Sequence, residues 1–101
     1  MEKQKFSYIY AVRYEKEKRH ISQVNARIDP GTGTLESIRF FWKSEILSQI
    51  DNGYIVKTMV KSGEDYIEGA KVIACTINGK RFLKTVANDI EEDNLGGLPN
   101  F

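Results

Sequence analysis

Hydrophobic and polar positions alternate along most of this chain, the period-two signature of half-buried strands. Phe6, Tyr8, Tyr10, Val12 and Tyr14 fall on one face with Ile9 and Ala11 on the other, which predicts a strand, central in its sheet. The charged run Glu15-Lys16-Glu17-Lys18-Arg19 reads as a turn. Beyond it, Val24, Ala26 and Ile28 alternate within Ile21 to Ile28 and complete a first hairpin. Asp29-Pro30-Gly31-Thr32-Gly33-Thr34 is the densest turn signal, because proline presets one backbone angle and glycine accepts positive φ. Ile38, Phe40 and Trp42 then alternate with Ser37, Arg39 and Phe41 in a third short strand that feeds a helix.

The helix is expected over residues 43 to 51, with Ser44 as N-cap, Glu45 in the first turn, Ile46, Leu47 and Ile50 on one face and Gly53 as the stop. Tyr54, Val56, Thr58 and Val60 alternate as a strand ended by Lys61-Ser62-Gly63-Glu64-Asp65, and Tyr66 to Gly69 reads as loop. Asn78-Gly79 lies between Lys71 to Ile77 and Lys80 to Val86 and predicts a type I′ hairpin, which sets Ile77 opposite Lys80, Cys75 opposite Phe82 and Ala74 opposite Leu83. Residues 87 to 101 form a polar, glycine-containing tail. The expected fold class is α+β: a small, mostly antiparallel sheet of about five to six strands with one short helix. Residues 1 to 101 form a single domain, without repeat or linker.

Composition narrows the function classes. Fifteen basic against fourteen acidic residues give a formal charge of +1, too little for the strong positive field of non-specific nucleic-acid binding. Nucleic acid is therefore not an expected partner, although a local basic patch is compatible with that balance. The N-terminus is charged and alternating rather than apolar, so no secretory signal is visible, and nothing approaches transmembrane length. Cys75 stands alone and cannot form an internal disulfide, which fits a reducing compartment; the expected location is cytoplasmic.

The C-terminal third carries Arg81-Phe82-Leu83-Lys84-Thr85 and, after an acidic spacer, Asp93-Asn94-Leu95-Gly96-Gly97-Leu98-Pro99. From about Tyr8 to Pro99 the chain resembles the small bacterial and phage proteins of domain of unknown function 3892. That family typically has a Tyr-Leu-Arg-Thr strand, an Asp-Asn-Leu-x-x-Leu-Pro ending, and a tryptophan before a short helix closed by glycine; Trp42 and Gly53 fit. Phe82 stands for the usual tyrosine and Lys84 for the usual arginine, which keeps hydrophobicity and charge but loses a hydroxyl and a bidentate fork. The resemblance implies no activity.

Each candidate group has a functional and a structural reading. Asp93 and Asn94 cap backbone groups while Leu95 and Leu98 dock the tail, or they offer hydrogen-bonding groups to a ligand's polar edge, with Gly96 and Gly97 permitting close approach. Lys80 and Lys84 share a strand face that an anion would fit, with Arg81 pointing away, or they keep a sheet edge soluble. Tyr8, Tyr10 and Tyr14, with Phe40, Phe41 and Trp42, suit core packing, an interface such as a homo-oligomer's, or stacked bases. His20 is expected to be solvated and Cys75 a buried, inert thiol; Glu91, Glu92 and Asp93 read as solvated carboxylates rather than a cation site.

No nucleophile, base and orienter can be assembled, so an enzyme is not expected, nor a metal or cofactor. The reading is a non-enzymatic binding protein, of the kind by which phages sequester a small anionic or nucleotide-derived ligand, with Lys80, Arg81, Lys84, Thr85, Asp93, Asn94 and Trp42 as ligand contacts. The alternative is a protein-interaction module that regulates a host protein through an aromatic face or an open sheet edge.

Overall fold

Five strands form one mixed sheet and two more form a separate hairpin. In the computed structural model, which describes residues 3–15 and 20–101, the order is β1 (Phe6–Tyr14), β2 (Ile21–Asp29), β3 (Arg39–Trp42), α1 (Lys43–Asp51), β4 (Ile55–Ser62), β5 (Asp65–Lys71), β6 (Ile73–Ile77) and β7 (Lys80–Lys84). From Lys16 to Arg19 the expected charged turn lies outside the described residues. The large sheet runs β3-β2-β1-β4-β5, with β1 at its centre. Neighbouring strands are antiparallel except β1 and β4, which pair in parallel from Phe6↔Ile55 to Ile9↔Thr58. A parallel pair needs a crossover, and α1 supplies it as the chain passes from edge strand β3 to the far side of β1.

A bulge in β1 decides which side chains meet the core. Ile9 pairs with Ala26 and Ala11 with Asn25, so Tyr10 is an inserted residue and the alternation slips by one. Ser7 and Ile9 are buried before the bulge and Val12 after it. The uninterrupted stripe expected from Phe6 to Tyr14 is thereby corrected: Phe6, Tyr8 and Tyr10 share the face opposite Ile9, whereas Val12 lies in the core and Tyr14 packs against it. One face of the sheet is covered by Ile46, Leu47 and Ile50 of α1, Leu83 of β7, and Leu95 and Leu98 of the tail, all packed over Ile9, Val12, Val24, Ala26 and Val56. The shortest molecular extent, 21 Å, suits two such layers.

Several boundaries differ from the sequence reading. Tyr66 to Gly69 belongs to β5, whose residues are all exposed, so no hydrophobic period marks it. Gly69 is required there, since a Cβ would collide with the Thr58 hydroxyl, which itself accepts the Ala70 N–H at 3.1 Å within the β4–β5 irregularity. The run from Lys71 to Ile77 breaks at Val72, a buried residue whose N–H donates to the Val56 carbonyl at 2.7 Å, and the second hairpin arm stops at Lys84. Finally, the N-cap of α1 is Trp42 rather than Ser44; the Glu45 carboxylate accepts the Trp42 N–H at 2.9 Å. The Asn78-Gly79 hairpin has the expected register, with φ of 51° and 78° at its two turn residues.

Candidate binding site on the open sheet face

Two polar side chains of the hairpin and tail, Asp93 and Lys84, turn inward. Asp93 is buried, and its carboxylate accepts the N–H of Ile21 at 2.6 Å, the N–H of Leu83 at 2.7 Å and the Lys43 ammonium at 2.9 Å. One side chain thus joins the start of β2, strand β7 and the first residue of α1. Asn94 Oδ1 accepts the Gly96 N–H at 2.9 Å, the Asn94 N–H donates to the Leu83 carbonyl at 2.9 Å, and its carbonyl accepts the Thr85 N–H at 3.1 Å. Further on, the Val12 N–H donates to the Pro99 carbonyl at 2.9 Å and the Phe101 N–H to the Val12 carbonyl at 3.1 Å. The tail therefore takes the place beside β1 where pairing with β4 has ended.

The basic residues of the hairpin separate. Lys84 is 1% exposed, and its ammonium donates to Asn88 Oδ1 and the Ile90 carbonyl. It is neither an open anion contact nor an edge solubiliser, the two roles expected for it. Arg81 makes a bidentate pair with Asp51 at 2.8 and 2.7 Å, which draws the Asp51 carboxyl below its ordinary value and the guanidinium above its own, in both cases mainly through the shared hydrogen bonds. Lys80 is exposed. Phe82 is buried beneath the Lys43 and Lys84 ammoniums, 5.2 and 5.8 Å from its ring centre. His20, expected to be solvated, stacks on the same ring at 5.8 Å. Cys75 is half-buried rather than fully enclosed.

The other face of the sheet holds the rings. Phe6, Tyr8 and Tyr10 line its central strand; Phe6 stacks on Tyr8 with centroids 5.9 Å apart, and Tyr66 of β5 meets Tyr10 edge-on at 4.9 Å. Phe40 and Trp42 on β3 are 65% and 58% exposed, and Phe101 reaches Phe40 at 5.4 Å. Trp42, assigned above to the same site as the hairpin and tail, therefore stands on the opposite face from Asp93. Tyr8 is flanked in register by Arg27 on β2 and Lys57 on β4. Arg27 is held by its Nε donating to the Glu36 carbonyl at 2.8 Å, and Lys57 by Glu68 at 3.0 Å. Burial first, and then the Glu68 carboxylate, raise the Tyr8 phenol above its ordinary range. Beside Tyr8 lies a hollow of about 230 Å³, lined by Asp29, Gly33, Leu35, Met59 and Glu68.

The family model described as "Protein of unknown function (DUF3892)" matches residues 8–99. The chain belongs to that family. The DUF3892 match runs from Tyr8 to Pro99, so it takes in Tyr8, the Asp93 junction and the Pro99 contact on β1, with Phe6 and Phe101 of the ring-bearing face outside it. Neither the curated proteins nor the solved structures contain a match. Within this DUF3892 chain no described helix is long and apolar enough to cross a membrane, and no described cluster of three or more His, Cys, Asp or Glu could hold a metal ion.

Arg27, Lys57, Asp29 and Glu68 were not singled out from the sequence as site residues. Their signal was available only in part: Arg27 and Asp29 lie opposite Ala26 and Ile28 in the alternation of β2, hence on the face away from the core. Pairing with Tyr8 across two different neighbours needed the parallel β1–β4 contact, which no local pattern announces.

Proposed function

We propose that this protein is a non-enzymatic binding protein for a small anionic, nucleotide-derived ligand, and that the ligand sits on the open sheet face at Tyr8 rather than at the hairpin and tail. The observation that carries this reading is the row Arg27–Tyr8–Lys57, an aromatic ring with a cation in register on either side. A base stacks on the phenol ring, its amino N–H groups face the acceptors Asp29 and Glu68 around the hollow, and phosphate lies against Arg27 or Lys57. Glu68 and Glu36 already position the two cations, so little side-chain entropy is lost on binding.

Isothermal titration with nucleoside mono- and diphosphates tests this, alongside native mass spectrometry of protein purified from cells for a copurified ligand of a few hundred daltons. Tyr8→Ala is expected to weaken binding by about tenfold or more, the worth of one stacked base, and Tyr8→Phe to retain it. Wild-type protein that takes up none of these nucleotides at millimolar concentration, and carries none from the cell, overturns the reading.

A second reading, docking of a protein partner, is favoured by the edge strand β3. Phe40 and Trp42 are more than half exposed there, as is Ile38 just before it, whereas edge β5 sets its exposed Tyr66 and Ile67 among Asp65, Glu68 and Lys71.

A further inference from the structure

We infer that the open face takes a single strand of nucleic acid, one nucleotide of which occupies the Tyr8 site, an inference that rests on the reading of Tyr8 above and extends it along the sheet. The Tyr8 row ends where a second begins. Beyond it on the same face stand Phe40–Asn25–Ala11 and then Trp42–Gln23–Arg13, each aligned by strand register. Tyr8 and Arg13 are five residues apart on β1, roughly 15 Å at strand rise, which is beyond the span of one mononucleotide. Seven of the eleven aromatic residues, Phe6, Tyr8, Tyr10, Phe40, Trp42, Tyr66 and Phe101, gather on this side.

Charge complementarity selects the occupant. Arg13, Arg27, Lys57 and Lys61 stand on the face against the carboxylates Asp29 and Glu68, of which Asp29 Oδ1 already accepts three loop N–H groups, from Gly31, Thr32 and Gly33. The near-neutral total charge thus conceals a local excess of cations set among stacked rings. Arg13 lies over the Phe101 ring at 5.0 Å and donates through Nε to the main-chain oxygen of Phe101 at 2.9 Å, so it is held at the far end of the track. The amides of Asn25 and Gln23 between the rows supply donors and acceptors suited to base edges. An apolar protein surface would leave those amides and cations unmatched; a single strand meets rings with bases and cations with phosphates.

The experiment is fluorescence anisotropy with labelled single-stranded DNA and RNA of increasing length, from dinucleotide to about eight nucleotides, alongside calorimetry with the mononucleotides. Affinity is expected to rise with length until the track is filled. Phe40→Ala and Arg13→Ala are each expected to weaken the longest oligonucleotide by about tenfold without changing mononucleotide binding. The salt dependence should have a slope of about −2, for roughly three phosphates neutralised. A preference for ribose or deoxyribose oligomers distinguishes RNA from DNA, and both fit the inference. Equal affinity for mononucleotide and oligonucleotide, untouched by Phe40→Ala, overturns it while the Tyr8 site stands. No binding of either overturns both. Self-association or capture of a protein that is lost in Phe40→Ala, with no oligonucleotide bound, assigns the face to a protein instead.

Discussion

The two faces of the five-stranded sheet use polar chemistry in opposite ways. On the covered face Asp93 is enclosed and joins three elements through Ile21, Leu83 and Lys43. On the open face Arg27 and Lys57 are each steadied by a neighbour yet stay half-exposed beside a ring. A charge enclosed with three donors contributes to holding the fold, because removing it leaves those donors without partners. A charge fixed at the surface beside an aromatic ring adds little to stability and remains open to a ligand. Asp93 thus has a structural role, and Tyr8 the proposed binding role; substitutions on each face test the contrast.

Asp93→Ala carries the largest expected effect, about 3 to 5 kcal/mol of lost stability in urea unfolding, since Lys43 and two backbone N–H groups lose their acceptor. Wild-type stability in that variant would dissolve the distinction between the faces. Gly79→Val, in the hairpin that helps cover the sheet, should cost about 1 to 2 kcal/mol, as a β-branched residue resists the φ of 78° found there. Ser7→Ala is expected to do the reverse. The Ser7 hydroxyl is fully buried on the covered face with no hydrogen-bond partner among the described residues, so its removal should raise stability by about 1 kcal/mol; a drop would mean that a partner exists.

Phe40→Ala on the open face should change stability by no more than about 0.5 kcal/mol, for its ring is largely in solvent. A large loss would show the face to be part of the core after all. The smallest effect belongs to Arg81→Ala, where both partners are at the surface. Asp51 is held below its ordinary 3.8 in the folded protein, so the contribution of its pair with Arg81 is present above that value and fades as pH falls through the lowered one. Thermal melts of wild type and Arg81→Ala, followed from neutral pH downwards, should therefore differ slightly and converge in acid; a gap that widens in acid contradicts the assignment.

Legibility of these features in the sequence follows their range. The Asn78-Gly79 turn and its register were readable because both turn residues and both arms are local. The helix span was readable for the same reason, although its cap moved to Trp42, where Glu45 reaches back. Strand β5 escaped because an exposed edge strand leaves no hydrophobic period. Tyr8, Tyr10 and Tyr14 look equivalent in the sequence, yet the bulge at Tyr10 sends Tyr14 to the core side and leaves the other two on the open face. Of the site residues expected at the hairpin and tail, Asp93 and Lys84 are enclosed among partners from other elements, and Trp42 lies on the other side of the sheet.

The amino-acid sequence by itself determined the strands with a clear alternation, the short helix and the Asn-Gly hairpin, because turn geometry and hydrophobic period act over a few residues. Only the tertiary structure decided which face each ring occupies, which carboxylate is enclosed and which cations flank Tyr8. Those outcomes depend on one inserted residue in β1 and on a parallel pairing between segments about fifty positions apart, where the free energy is set by what packs across the sheet rather than by any neighbour along the chain.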